Sequence, residues 1–313
     1  MKKKILVTGA AGYIGSMLCC ELLKKGFEVI AIDILKYSRV SISHLFFNKK
    51  FHFYNLDVTK KGILKKFIKK VDYIIPLAAL VGAPLCERLK KEATKVNFEQ
   101  INTILLLKNK LQKIIYLNSN SGYGVGDKND FCDENSPLKP ISHYGKTKVE
   151  AEKLILKDPY KNFISFRLAT VFGYSFRMRT DLLVSYYVKQ SIINNEIKIY
   201  EPQFRRNFIH IRDVVRAIIF SINYFNKLKG NVYNLGLSNA NITKLDLAKK
   251  VKRINPKTII KIINNKKDLD QRDYFVSNIK FEKTGFKPSF SLDQGIRETY
   301  KCLLLNNNYK DNY

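Results

Sequence analysis

The chain has 313 residues, enough for one large domain or two closely packed ones. No run of about 18 uncharged apolar residues occurs, which argues against a transmembrane helix. The formal net charge is +29, but the lysines are scattered along the whole chain beside abundant Asn, Ile, Tyr and Phe. That spread speaks against a nucleic-acid face and leaves a positive field suited to an anionic substrate.

A basic start followed by a short apolar run is too brief for a signal-peptide core and leads straight into glycines, so it predicts a first strand. Cys19, Cys20, Cys86, Cys132 and Cys302 show no metal-ligand spacing. No metal site is expected, and a reducing, cytoplasmic setting fits.

Lys4–Thr8 predicts a buried parallel strand. Gly9-Ala-Ala-Gly12-Tyr13-Ile14-Gly15 follows, then an apolar-periodic stretch through Leu23. Strand, glycine turn and helix form the first unit of a dinucleotide-binding fold. Gly9 allows the tight turn, Gly12 the close approach of pyrophosphate and Gly15 the packing of helix on strand. The helix N-terminus faces the phosphates. Residues 28–33 read as the second strand, and Asp33 lies 18 residues past Gly15. A carboxylate there accepts from a ribose diol and repels a 2′-phosphate, favouring NAD over NADP. The alternative is a solvated strand-end aspartate.

Residues 51–59 read as strand three, with Asp57 and Val58 at its carboxyl end, where an adenine would lie. Residues 60–70 predict a basic, solvated helix. Residues 73–79 read as strand four, breaking into Leu77, Ala78 and Ala79, which are small enough to approach a cofactor. Residues 92–108 are helical by periodicity and carry Asn97. Residues 113–117 form strand five, running into Asn118-Ser119-Asn120-Ser121. A hydroxyl at the carboxyl end of a central strand points into the cofactor cleft, and Ser119 fits.

The segment from Ile141 has strong helical character and places Tyr144 and Lys148 four residues apart, on one helix face. An ammonium beside a phenol pulls the phenol's pKa down from ~10, towards useful acid–base chemistry. Chance alone also produces such a pair, given 18 tyrosines and many lysines. Its weight comes from Ser119, which can converge with Tyr144 and Lys148 on one substrate hydroxyl.

Residues 163–167 read as strand six, followed by 168–173. The character changes from about residue 174. A helix is expected over 178–194, a strand over 204–213 leading into an apolar-periodic 214–225, and a short strand over 231–234. A helix capped by Thr243 is expected over 243–253, another from 291, and frayed residues over 306–313. The fold class is therefore α/β, a Rossmann-type doubly wound parallel sheet with a smaller C-terminal α/β substrate domain. The NAD-binding part spans 1–173 with a later contribution from about 207–236, and 174–313 is mainly the substrate part.

The glycine loop, Asp33, the Ser119 segment and Tyr144-xxx-Lys148 occur in order. Together they resemble the extended short-chain dehydrogenase/reductase family, the NAD-dependent nucleotide-sugar epimerases and dehydratases, over nearly the whole chain. The resemblance implies NAD as cofactor, a nucleotide-diphosphate sugar as substrate, and a homodimer formed through the helices around Asn97 and Tyr144. It implies that Tyr144 removes a proton from a sugar hydroxyl, usually at C4, as hydride passes to NAD. Ser119 would bond the same hydroxyl, with Asn120, Ser121 and Thr170 beside the substrate. Lys148 would hold the nicotinamide ribose and lower the Tyr144 pKa. Arg206 and Arg272 resemble arginines that grip the substrate diphosphate, to which a guanidinium fork is suited; the alternative is that either is a surface arginine.

Departures from the pattern narrow the chemistry. Asn120 and Ser121 occupy the positions of the dehydratases' Asp-Glu pair, so dehydration is not expected. Thr170 replaces a usual asparagine, Asn207 a usual aspartate after Arg206, and Pro76 a common histidine. Residues 76–86, 118–124, 167–173 and 272–278 resemble the subgroup acting on GDP-manno-heptose in polysaccharide biosynthesis. That likeness implies oxidation of the heptose C4 hydroxyl to a 4-keto sugar. A 4-epimerase is the nearest alternative, and a non-catalytic NAD-binding protein a more distant one.

Overall fold

A computed structural model describes residues 3–126, 131–264 and 272–305. Its centre is a seven-stranded sheet in which every neighbouring pair is parallel. The first five strands in chain order are β1 (Lys4–Thr8), β2 (Glu28–Asp33), β3 (Phe51–Asn55), β4 (Tyr73–Pro76) and β5 (Lys113–Ser119). Across the sheet the order is Asn231–Leu235, Phe163–Leu168, β5, β4, β1, β2, β3.

The strands are apolar on both faces because helices cover both. Ile5 and Val7 point into the core that includes helix α1 (Tyr13–Lys24) and the Ile211–Asn223 helix. Leu6 points into the opposite core with Phe67, Ile104 and Ile155. All three β1 side chains are fully buried, each stabilising the fold by roughly 1.5–3 kcal/mol. Strand order reverses between β1 and β4, which opens the crevice where ligands of such sheets collect.

The later part of the chain adds a three-stranded sheet of Thr170–Phe172, Arg205–His210 and Asn241–Thr243. Two small parallel pairs join distant segments: Glu196–Ile199 with Ile259–Ile262, and Phe131–Cys132 with Phe275–Val276. Neither of these pairs was anticipated. The Thr243 cap is present, its hydroxyl accepting from the Asp246 amide at 3.0 Å.

Several element boundaries are corrected. The helix expected over 60–70 is one turn, Lys65–Ile68, because Gly62 adopts a left-handed φ of 80° just before it. The helix expected over 92–108 is Lys90–Thr94, a π turn at Lys95–Glu99 and Gln100–Leu107, preceded by Ala83–Arg88. The helix expected from 178 starts at Leu183, and 178–182 are an irregular, turning segment before it. Residues 306–313, expected to fray, lie outside the described residues, as does Gln271. No helix among the described residues is long and apolar enough to cross a membrane.

Candidate active site

The crevice at the carboxyl ends of β1 and β4 opens into a cavity of about 430 Å³, within the usual size of small-molecule sites. Gly9, Gly12, Tyr13, Ile14 and Gly15 line one wall. Gly9 has φ of 67°, and a Cβ on it would sit 2.5 Å from the Ala78 nitrogen. A Cβ on Gly15 would sit 2.2 Å from the Gly9 carbonyl. The sequence therefore leaves a cradle of backbone at the start of α1, and no side chain caps that helix. Its first amides are available to an anion.

Asp33 ends β2 beside this cradle. One carboxylate oxygen accepts from the Ala11 amide at 3.0 Å and the other from the Leu35 amide at 2.7 Å. Burial pushes the carboxyl pKa up, while those amides and the Arg177 charge oppose the shift. Each oxygen keeps a lone pair for a diol. Glycine cradle, uncapped helix and oriented carboxylate together fit NAD.

Leu77 and Ala79 also line the cavity, whereas Asp33, Ala78, Asp57, Val58, Asn97 and Asn120 do not. Val58 is buried in the core beneath β3, and Asp57 closes a turn by accepting from the Thr59 amide at 2.9 Å. Asn97, on the π turn, spends its amide on the Leu80 nitrogen (2.9 Å), the Leu80 oxygen (3.0 Å) and Thr147. It therefore fixes the loop after β4 to the Tyr144 helix rather than facing the cavity.

That helix, His143–Leu156, is capped by Ser142, whose hydroxyl accepts from the Gly145 amide at 3.2 Å. Tyr144 and Lys148 line the cavity, and Ser119 enters from the end of β5. Ser119 bonds Ser121 at 2.7 Å, and its hydroxyl is among the groups that lower the Tyr144 phenol pKa. Glu152 continues the same helix face four residues past Lys148. It is buried and accepts from Ser165 (2.7 Å) and twice from Arg167 (3.0 and 2.9 Å).

The electrostatics correct one expectation. Burial pushes the Tyr144 phenol up to about 12, and the larger opposing influences are Arg179, Arg272 and Ser119 rather than Lys148. Burial also lowers Lys148 to about 7, with Glu152 pulling the other way. A lysine that is neutral above about 7 puts no charge on a phenol titrating near 12. Its nitrogen lies 4.1 Å over the Tyr116 ring instead.

Thr170, Arg206 and Arg272 line the opposite end of the cavity. Arg206 donates to the Arg272 carbonyl, and Arg272 to the Ser121 hydroxyl. Asn120 is buried with both amide atoms unpartnered, as is Nδ2 of the cavity-lining Asn118. Sequence reasoning missed Tyr37, Arg177, Arg179, Asp181 and Lys244, all of which line the cavity. Arg179 and Asp181 form a forked ion pair. The signal was available in Arg177-Met-Arg-Thr-Asp181, where charges cluster between apolar stretches.

A parallel doubly wound sheet with a glycine cradle, a strand-end carboxylate and a Tyr/Lys/Ser cluster defines a dinucleotide-dependent enzyme. Residues 5–236 match the NAD dependent epimerase/dehydratase family. The chain belongs to that family, and NAD is its cofactor. A dTDP-D-glucose 4,6-dehydratase of Dictyostelium discoideum is 28% identical over 98% of this chain and 83% of its own length. An uncharacterized UDP-glucose epimerase of Bacillus subtilis is 32% identical over 69% of this chain and 71% of its own length. The crystal structure of UDP-glucuronic acid 4-epimerase from Bacillus cereus, with UDP-glucuronic acid and NAD, superposes with a TM-score of 0.86. It is 25% identical and is matched over 96% of this chain and 99% of that one.

Proposed function

We propose that this enzyme oxidises the C4 hydroxyl of a nucleotide-diphosphate sugar to a ketone. The observation that carries the reading is the meeting of Tyr144 and Ser119 in the same cavity as the glycine cradle, without a carboxylate at residues 120 or 121. Ser119 orients the hydroxyl and Tyr144 takes its proton. When bound, NAD accepts the hydride from the same carbon. The Arg179 and Arg272 charges stabilise the phenolate that must form. Arg206, Arg272 and Lys244 suit the substrate diphosphate. Residues 1–173 with 207–236 would then hold the cofactor, and the later part mainly the sugar nucleotide.

GDP-manno-heptose is the substrate we put first, on the likeness of residues 76–86, 118–124, 167–173 and 272–278 to that subgroup. A second reading, 4-epimerisation, draws support from the likeness to the Bacillus cereus epimerase over nearly the whole chain. The two share every group named above and differ in whether the hydride returns. Incubation with GDP-manno-heptose and with UDP-hexoses, followed at the reduced nicotinamide band and by product NMR, separates them. Accumulated NADH with a 4-keto product supports the dehydrogenase reading, and an inverted sugar without net NADH supports the epimerase. A 4-keto-6-deoxy product would contradict both.

A further inference from the structure

The cavity gathers more cations than one diphosphate needs, and Arg177 stands apart from the substrate end. Residues 173–177 are stapled onto the first turns of α1. Tyr13 donates its hydroxyl to the Gly173 carbonyl at 2.7 Å. Ser175 donates to the Tyr13 carbonyl at 2.6 Å and meets the Ser16 hydroxyl at 3.2 Å. The Arg177 amide then donates to the Ser175 hydroxyl at 3.3 Å. Three short links therefore tie residues 173–175 to the first turn of α1, beside the glycine cradle.

At the end of this strap the Arg177 guanidinium lies 4.7 Å over the Tyr37 ring. Its side chain is only 6% exposed, and both residues line the cavity with Gly12, Tyr13 and Ile14. The Tyr37 loop is itself tied to the cradle, Ser41 donating to the Ala11 carbonyl at 2.8 Å. Arg177 is close enough to Asp33 to lower its carboxyl pKa, which puts its charge at the adenosine half of the groove. Residues 9–15 contain no basic side chain, so a pyrophosphate on the cradle meets only amide dipoles from that wall.

We propose that Arg177, steadied on Tyr37, grips the pyrophosphate of NAD from the side facing the glycine cradle, making residues 173–177 a strap that retains the cofactor. The proposal rests on the reading of the cradle as the NAD site. A guanidinium fork matches two phosphate oxygens, and its near-complete burial makes the charge count. Ring stacking holds it there before the cofactor arrives.

The test is calorimetric titration of cofactor-stripped wild type, Arg177→Gln and Arg177→Lys with NAD, ADP-ribose and adenosine. The glutamine variant is expected to bind NAD and ADP-ribose roughly 10- to 100-fold more weakly, with adenosine unchanged and a shallower salt dependence. Lysine should recover part of the loss, because it restores charge without the fork. Unchanged NAD affinity in Arg177→Gln overturns the proposal, and so does an equal loss for adenosine, which would mark a role in shaping the loop. A wild type that binds none of the three would sink the cofactor site itself as well.

Discussion

Replacing Lys148 with methionine removes a buried amine while keeping most of its volume. Lys148 is 5% exposed, and its pKa falls from 10.5 to about 7 on folding. Between those values the unfolded chain holds a proton that the folded chain has released. Wild-type stability therefore rises with pH across this window, by about 1.36 kcal/mol per pH unit. From about pH 7.5 to about pH 9.5 the gain is about 3 kcal/mol, and the methionine variant lacks it. The variant should be the more stable protein near neutrality, by an amount that shrinks with pH. Urea unfolding of both cofactor-free chains at the two pH values measures the difference. A constant gap would refute the reasoning, and a gap that widens with pH would reverse its sign.

Gly9→Ala forces a Cβ against the Ala78 nitrogen at a left-handed φ. It should destabilise the fold by roughly 2–4 kcal/mol and abolish NAD binding, which melting curves with and without NAD would report. Glu152→Gln leaves the buried Arg167 guanidinium without its carboxylate. A loss of about 3–5 kcal/mol in unfolding free energy is expected; a change below about 1 kcal/mol would show that the pair is dispensable. The same substitution removes the charge that raises Lys148, so the lower edge of the lysine's pH window should move to lower pH while its upper edge stays.

The parts of the site built from adjacent residues were legible in the sequence. A glycine cradle needs its glycines at fixed short spacing, and Tyr144 and Lys148 share a helix face by spacing alone. Both are local requirements. Arg177 and Arg179 reach the cavity only because the chain returns from the Thr170–Phe172 strand and is stapled to Tyr13 and Ser16. No local pattern announces that return. The π turn at Lys95–Glu99 likewise redirected Asn97 to Leu80 and Thr147, where an unbroken helical period would have left its direction open. The Lys148 effect on Tyr144 was misjudged for a related reason. Spacing gives proximity, but burial decides which of the two groups carries charge.

The central claim is that Tyr144 takes the proton as the sugar is oxidised. Rapid mixing of Tyr144→Phe, loaded with NAD, against the substrate identified for the wild type measures this step directly. The phenyl ring keeps the cavity wall, so NAD content and substrate affinity should match wild type. NADH formation should slow by a factor of roughly 10²–10⁴, the usual contribution of a general base. NADH formation at the wild-type rate, with NAD still bound, would contradict the account.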